Sequence, residues 1–218
     1  MEYPDARILV FAKAPVPGYA KTRLIPALGE TQAARLQREL TALTLDIASR
    51  ANLCPVELWC TPDCEHEFFT HCRTNYNVTL HLQQGHDLGQ RMAQALAAAL
   101  ARSRHAVLIG TDNRDLNISY LREAIRTLTG KKDVVIGPSA DGGYVLIGSN
   151  RLIPELLSNM HWSNDRVMDT TRRRLEQLAI AWHELGICHD IDRPDDLGNL
   201  PAPLATIFAR QLEKYRAT

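Results

Sequence analysis

Short apolar runs alternate with segments of helical period along almost the whole chain. That alternation restricts the fold more than any single motif. Residues 8–11 (Ile-Leu-Val-Phe) and 106–109 (Ala-Val-Leu-Ile) are apolar at every position, as strands buried on both faces are. Further strands are predicted over residues 56–60, 78–82, 133–137, 143–147 and 181–186. Helices are predicted over 31–50 with Thr31 as cap, 62–72, 88–102, 118–128 capped near Asn117, 167–178 and 204–215. Strands alternating with helices predict an α/β fold: a three-layer α/β/α sandwich with a mostly parallel mixed sheet. No repeat, low-complexity tract or linker divides the 218 residues, so one domain is expected over the whole chain.

In sheets of this kind, ligands sit at the carboxyl ends of strands where the strand order switches. The loops after the first and fourth strands should therefore meet. The first is FAKAPVPGYAKTRL, in which Gly18 and the cations Lys13, Lys21 and Arg23 follow a buried strand. Backbone N–H groups and fixed positive charge in such a loop suit phosphate oxygens. A solvated strand-to-helix loop is the plainer alternative. A Walker A loop is excluded, because Ala20 rather than glycine precedes Lys21-Thr22.

The fourth strand runs into TDNRDL. Asp112 is read as a ligand for a hard divalent cation, Mg²⁺ or Mn²⁺, with phosphate oxygens and water completing the shell. Asp115 is read as the cap of the following helix. A second acidic stretch is DIDRPDDL. There Asp190 and Asp192 alternate and can face one way, whereas Asp195 and Asp196 follow Arg193 and Pro194 as capping residues. In PSADGGYVLIG, glycines beside Asp141 allow backbone to approach a ligand closely and Tyr144 can pack on a sugar or base; a tight turn between strands explains the same residues. In QGHDLGQRM, Arg91 sits in the first turn of a helix, where the dipole disfavours it unless an anion is near.

Composition restricts the partners. Lysine plus arginine equals aspartate plus glutamate at 25 each, which argues against bulk attraction to nucleic acid or membrane. No apolar run is long enough to cross a bilayer and no leader-like stretch opens the chain, so a cytoplasmic protein is expected. The cysteines, Cys54, Cys60, Cys64, Cys72 and Cys188, match no common zinc spacing and are expected to be reduced thiols.

Taken in order, KAPVPGYAKTRL, GHDLGQRM, IGTDNRDL, GPSADGGYVLIG, HWSNDRV and DIDRPDDL resemble a known family over about residues 7–197. It is the glycosyltransferase-like family of the nucleotide-diphospho-sugar transferase (GT-A) superfamily, of the type associated with arsenosugar biosynthesis. Its wider relatives include 2-phospho-lactate guanylyltransferase and molybdenum-cofactor guanylyltransferase. The resemblance implies a nucleotide over the first loop, near Ala12, Lys13, Gly18, Lys21 and Arg23. It implies that Gln84, Gly85, Gly89 and Arg91 line the base or ribose, and that Gly142, Gly143 and Tyr144 face sugar or acceptor. Asp112 would be the metal aspartate, with Asp192 or Asp190 as second acidic ligand. Lys21, Asp112 and Asp141 are the expected catalytic residues, Asp141 as base. The partners implied are a nucleotide sugar or nucleoside triphosphate and a small-molecule acceptor, without nucleic acid or membrane, and with a homodimer allowed. The expected activity is glycosyl transfer, with nucleotidyl transfer as the second reading. One departure motivates a third reading, a non-catalytic nucleotide-binding module: Asn113-Arg114 stands where the family usually has a small residue and a proline.

Overall fold

The structure, a computed structural model, describes residues 1–162 and 164–216; Ser163 of the HWSNDRV stretch lies outside the described residues. Seven strands form one sheet: β1 (Ala6–Lys13), β2 (Val56–Thr61), β3 (Thr79–Leu82), β4 (His105–Ile109), β5 (Val134–Pro138), β6 (Tyr144–Ser149) and β7 (Trp182–Glu184). Their order is β3-β2-β1-β4-β6-β5-β7. β6 runs antiparallel to both of its neighbours, and the other pairings are parallel. The helices are α1 (Ile25–Leu28), α2 (Glu30–Arg50), α3 (Glu67–Tyr76), α4 (Leu88–Leu100), α5 (Ile118–Thr129), α6 (Pro154–Leu157), α7 (Val167–Gln177), α8 (Ala202–Ile207) and α9 (Ala209–Arg216).

The unbroken apolar runs follow from burial on both faces. In β1, Ile8, Val10 and Ala12 pack with residues of α2, α3 and α5, while Leu9 and Phe11 pack with residues of α4, α6 and α7. Period-2 alternation therefore separates two apolar environments rather than core from water. A third apolar cluster joins Leu24, Leu36 and Leu40 to Ile191, Leu197, Leu200, Leu204 and Phe208. It fastens the C-terminal segment against α2 and the first loop.

Three local expectations need correction. Thr31 caps nothing: α2 starts at Glu30 behind Gly29, whose φ of 76° ends α1 and lets a new helix begin at once. Residues 62–66 are not helical. Asp63 Oδ1 accepts the Glu65 N–H at 2.9 Å in a turn, and α3 starts only after His66, whose Nδ1 accepts from the Phe68 N–H. The expected last helix is two helices, separated at Phe208. Asn117 does cap α5, accepting the Tyr120 N–H at 3.0 Å.

Phe208 is fully buried in the cluster that also holds Ile191. Phe208→Ala is expected to cost about 3–5 kcal/mol. A lowered urea midpoint with an unchanged slope checks this, and a midpoint within error of the parent would contradict it.

Candidate functional site

The chain leaves β1 outward to β2 and β3, then returns to β4 on the other side of β1. The order therefore reverses between β1 and β4, and their carboxyl ends open a crevice. A cavity of about 490 Å³ lies there. Its walls include Ala12, Lys13, Lys21 and Arg23 from the first loop, Asp112 after β4, Tyr144 at the start of β6, and Asp190 and Asp192.

Lys21 has the least expected conformation in this wall. Its backbone is left-handed, with φ 50° and ψ 42°, a conformation non-glycine residues seldom adopt. Its side chain is 2% exposed, and the ammonium lies 2.8 Å from Asp112 Oδ1. The same ammonium donates to the Ile191 carbonyl. Next to it, Arg23 Nη1 meets Asp192 Oδ2 at 2.5 Å, in a more exposed pair.

The acidic corners are joined through their backbones. The Ile191 N–H donates to the Asp112 carbonyl at 2.9 Å, and the Arg114 N–H to the His189 carbonyl at 3.0 Å. Asn113 and Asp190 form an isolated antiparallel bridge between these bonds. Asp115 does not cap α5. Its Oδ2 accepts from the His189 backbone N–H and lies 2.8 Å from His189 Nδ1, tying the same two segments together. Asp196 behaves as capping residues do, accepting the N–H groups of Asp192 and Arg193. Asn113 is buried with its Oδ1 on the Asp115 N–H, and Arg114 Nε faces Asp115 at 3.7 Å. The Arg114 side chain is not among the cleft walls, and Asp112 keeps a 42% exposed carboxylate. Asn113 and Arg114 thus serve the seam between two loops.

Asp190 sits under unusual electrostatics. Burial, and then the nearby Asp112 and Asp141 carboxylates, push its carboxyl up to about 7, against the Ser139 hydroxyl and Lys21. Ser139 Oγ lies 3.0 Å from Asp190 Oδ2 and donates to Asp141 Oδ1. One hydroxyl has one proton, so a protonated Asp190 completes the chain Asp190–Ser139–Asp141.

Other expected residues lie elsewhere. Asp141 accepts the Gly143 N–H at 3.1 Å and closes a turn outside the cleft walls. Gly142, at φ 90°, docks that turn on the next segment: an added Cβ would fall 2.1 Å from the Asp165 carbonyl oxygen. The Met168 N–H donates to the Gly142 carbonyl in the same place. Gly89 is a packing position, where a Cβ would meet the Leu157 carbonyl at 2.3 Å and the Trp162 indole near 2.9 Å. Tyr144 stands edge-on to Trp162, with ring centroids 6.0 Å apart. Its hydroxyl and the Trp162 indole N–H are buried without partners. Gly18, Gln84, Gly85 and Gly143 do not line the cavity, whereas Arg91 does, its Nε donating to the Gly85 carbonyl.

Several wall residues escaped sequence reasoning. Gln83 rather than Gln84 faces inward, donating to the carbonyls of Trp59 and Ala12. Gln37 donates to Thr111 Oγ1 at 3.0 Å in the cavity floor. Its signal was available, since a glutamine between Leu36 and Leu40 interrupts the apolar stripe of α2. Lys13 lies 3.9 Å from the centroid of the Tyr19 ring, a cation–π contact at the lip.

Asp112 and Asp190 give two carboxylates facing one space, while Asp192 is held by Arg23. Among the described residues no group of three or more His, Cys, Asp or Glu is disposed to hold a metal ion. Two carboxylates fit an Mg²⁺-type ion whose remaining ligands are phosphate oxygens and water. The free thiols do not fit zinc; burial pushes those of Cys54 and Cys72 up to about 12.

The fold is that of the nucleotide-diphospho-sugar transferases. A crystal structure from Desulfovibrio desulfuricans G20, of a protein proposed to be a nucleotide-diphospho-sugar transferase, superposes with a TM-score of 0.84 at 25% identity, over 97% of this chain and 98% of that one. The 4-diphosphocytidyl-2C-methyl-D-erythritol synthase of Anaerococcus prevotii DSM 20548 shares the fold at 13% identity and TM-score 0.58, over 92% of this chain and 98% of that one. So does glucosyl-3-phosphoglycerate synthase of Mycobacterium tuberculosis, solved with Mn²⁺, UDP and glucosyl-3-phosphoglycerate, at 14% identity and TM-score 0.50 over 95% and 80% of the chains. No protein of curated function matches the sequence. The model of the family described as "Uncharacterized protein conserved in bacteria (DUF2064)" matches residues 44–164.

The raised Asp190 carboxyl has a thermodynamic sign. The folded protein holds this proton more tightly than an unfolded chain, whose carboxyl titrates near 3.8. Its stabilising contribution is complete below about pH 4 and is lost as pH rises through about 7. In EDTA, Asp190→Asn should melt a few degrees above the parent near pH 8 and together with it near pH 4. A gap of the same size at both pH values would show that Asp190 does not titrate differently on folding.

Proposed function

The chain belongs to the DUF2064 family, and from that premise we propose a metal-dependent transferase that uses a nucleotide-activated donor. The reading favoured is glycosyl transfer from a nucleotide-diphosphate sugar to a small acceptor. One observation carries it: Lys21 and Arg23 meet Asp112 and Asp192 in one cleft, at the switch point between β1 and β4. Cations and carboxylates interleaved around an open cavity suit a polyphosphate and the divalent ion that accompanies it.

In this reading Lys13, Lys21 and Arg23 take the phosphate oxygens. The negative charge that develops on the departing diphosphate is stabilised there by fixed donors. Asp112 and Asp190 would hold Mg²⁺ or Mn²⁺, which supplies further charge neutralisation at the leaving group. Gln83, Leu88 and Arg91, on the β3 side of the cavity, are the residues placed to meet the base or ribose. Tyr144 stands on the other side, where sugar and acceptor would lie. Asp141 is tied up by Ser139 and the Gly143 N–H, so its part is to position Asp190 through Ser139.

Nucleotidyl transfer is the second reading, with a triphosphate in the same cradle and pyrophosphate leaving. The shared fold of the Anaerococcus cytidylyl-type synthase favours it. The guanylyltransferase-like and arsenosugar-associated relationships suggested by the motifs remain finer proposals within these two. A purely binding role loses its motive, because Arg114 turns to Asp115 rather than into the cleft.

Calorimetry with the nucleoside di- and triphosphates of all four bases, with and without Mn²⁺, tests the proposal. Metal-dependent heat with at least one is expected, and no heat with any would sink it. Arg23→Ala should weaken that binding by about tenfold, the loss of one charge-assisted contact. Pyrophosphate release with a triphosphate and a phosphorylated acceptor would select the second reading over the first.

A further inference from the structure

We infer that Lys21 is an internal counter-cation that keeps the divalent-metal subsite closed until a nucleotide's phosphates draw it away, so that metal and nucleotide bind as a coupled pair. The inference rests on the reading of this cleft as a nucleotide–metal site and adds how its occupancy is controlled.

The geometry is unusual for a lysine that only waits for phosphate. Such a side chain would be expected to reach into solvent, whereas this one is 2% exposed. The left-handed backbone at Lys21, on the N-terminal side of the turn Thr22–Leu24, turns the residue into the protein. Its ammonium bridges the two segments that carry the acidic corners. It lies 2.8 Å from Asp112 Oδ1 and donates to the Ile191 carbonyl, between Asp190 and Asp192. Those segments are already held together by the Ile191–Asp112 backbone bond and the Asn113–Asp190 bridge. A divalent ion shared by Asp112 and Asp190 would occupy the same neighbourhood and draw on the same Asp112 carboxylate charge. The ammonium and the ion therefore compete.

The competition explains why both are present in one site. With Lys21 in place, Asp112 is neutralised and a metal ion arriving alone gains little. A diphosphate offers the ammonium more negative charge than one carboxylate does. Once Lys21 moves to phosphate, Asp112 is left uncompensated beside Asp190, and a divalent ion can replace the ammonium and bridge carboxylates to phosphate. Arg23 on Asp192 repeats the arrangement at the exposed edge, where exchange is easier because both partners reach water. Linkage makes the coupling reciprocal: nucleotide tightens metal by the factor by which metal tightens nucleotide.

The test is Mn²⁺ binding to the metal-free, nucleotide-free full chain, read from the free-Mn²⁺ electron paramagnetic resonance signal. Lys21→Asn removes the ammonium and keeps a residue type that tolerates the left-handed backbone. It should bind Mn²⁺ at least about tenfold more tightly than the parent, within the usual range of coupling between sites. Lys21→Arg keeps a cation and should bind Mn²⁺ as weakly as the parent. In the parent, a saturating nucleoside diphosphate should tighten Mn²⁺ by a similar factor, after correction for the Mn²⁺–nucleotide complex in solution. Equal Mn²⁺ affinity of Lys21→Asn and parent overturns the inference, whatever nucleotides do. Absence of binding by any nucleoside phosphate overturns the transferase reading and with it the coupling to nucleotide, while the metal-only comparison alone decides whether Lys21 closes the metal subsite.

Discussion

The ion pair between Lys21 and Asp112 is the constraint on which the rest of the site depends. It joins the loop after β1 to the loop after β4 across the switch point of the sheet. A nearly buried ammonium is unfavourable unless its donors are satisfied, and the Ile191 carbonyl satisfies a further one. Asp112 stays half exposed, so the pair is buried on the cationic side and open on the anionic side. The carboxylate remains within reach of whatever enters the cleft.

Packing holds the neighbouring Arg23–Asp192 pair in place from below. Leu24, directly after Arg23, and Ile191, directly before Asp192, are both fully buried in the cluster formed by α2, α8 and Phe208. Each charged partner is thus one residue away from an apolar anchor. The alternation of anchored and free side chains is what an extended or tightly turned segment provides. Asp115 with His189, and Asn113 with Asp190, close the seam between the two acidic segments. Asn113, Arg114 and Asp115, the polar residues after β4, are largely the stitching that aims Asp112.

Much of this could be read from the chain, because the controlling signals are local and periodic. Runs without polar residues fixed the central strands, and glycine-proline loops after them marked where the site would open. The switch-point rule then joined Lys21 to Asp112 without any contact being known. What stayed hidden depends on direction. Nothing in QQGHDL says that Gln83 rather than Gln84 faces inward; the pairing of β3 with β2 decides it. Glycine was over-read for the same reason. At Gly89 and Gly142 the missing Cβ makes room for Trp162, Leu157 and Asp165, and the need arises only once segments distant in sequence have packed. Asp141, the expected base, has its carboxylate already committed to Ser139 and Gly143.

The relation between the cationic loop and the acidic corners would be seen most directly in crystals soaked with Mn²⁺ and a mixture of nucleoside diphosphates. On this account a diphosphate lies against Lys21 and Arg23, and Mn²⁺ touches Asp112, with the Lys21 ammonium displaced from its carboxylate. A diphosphate bound at any other part of the surface, or Mn²⁺ held away from Asp112 while Lys21 keeps its place, would contradict it.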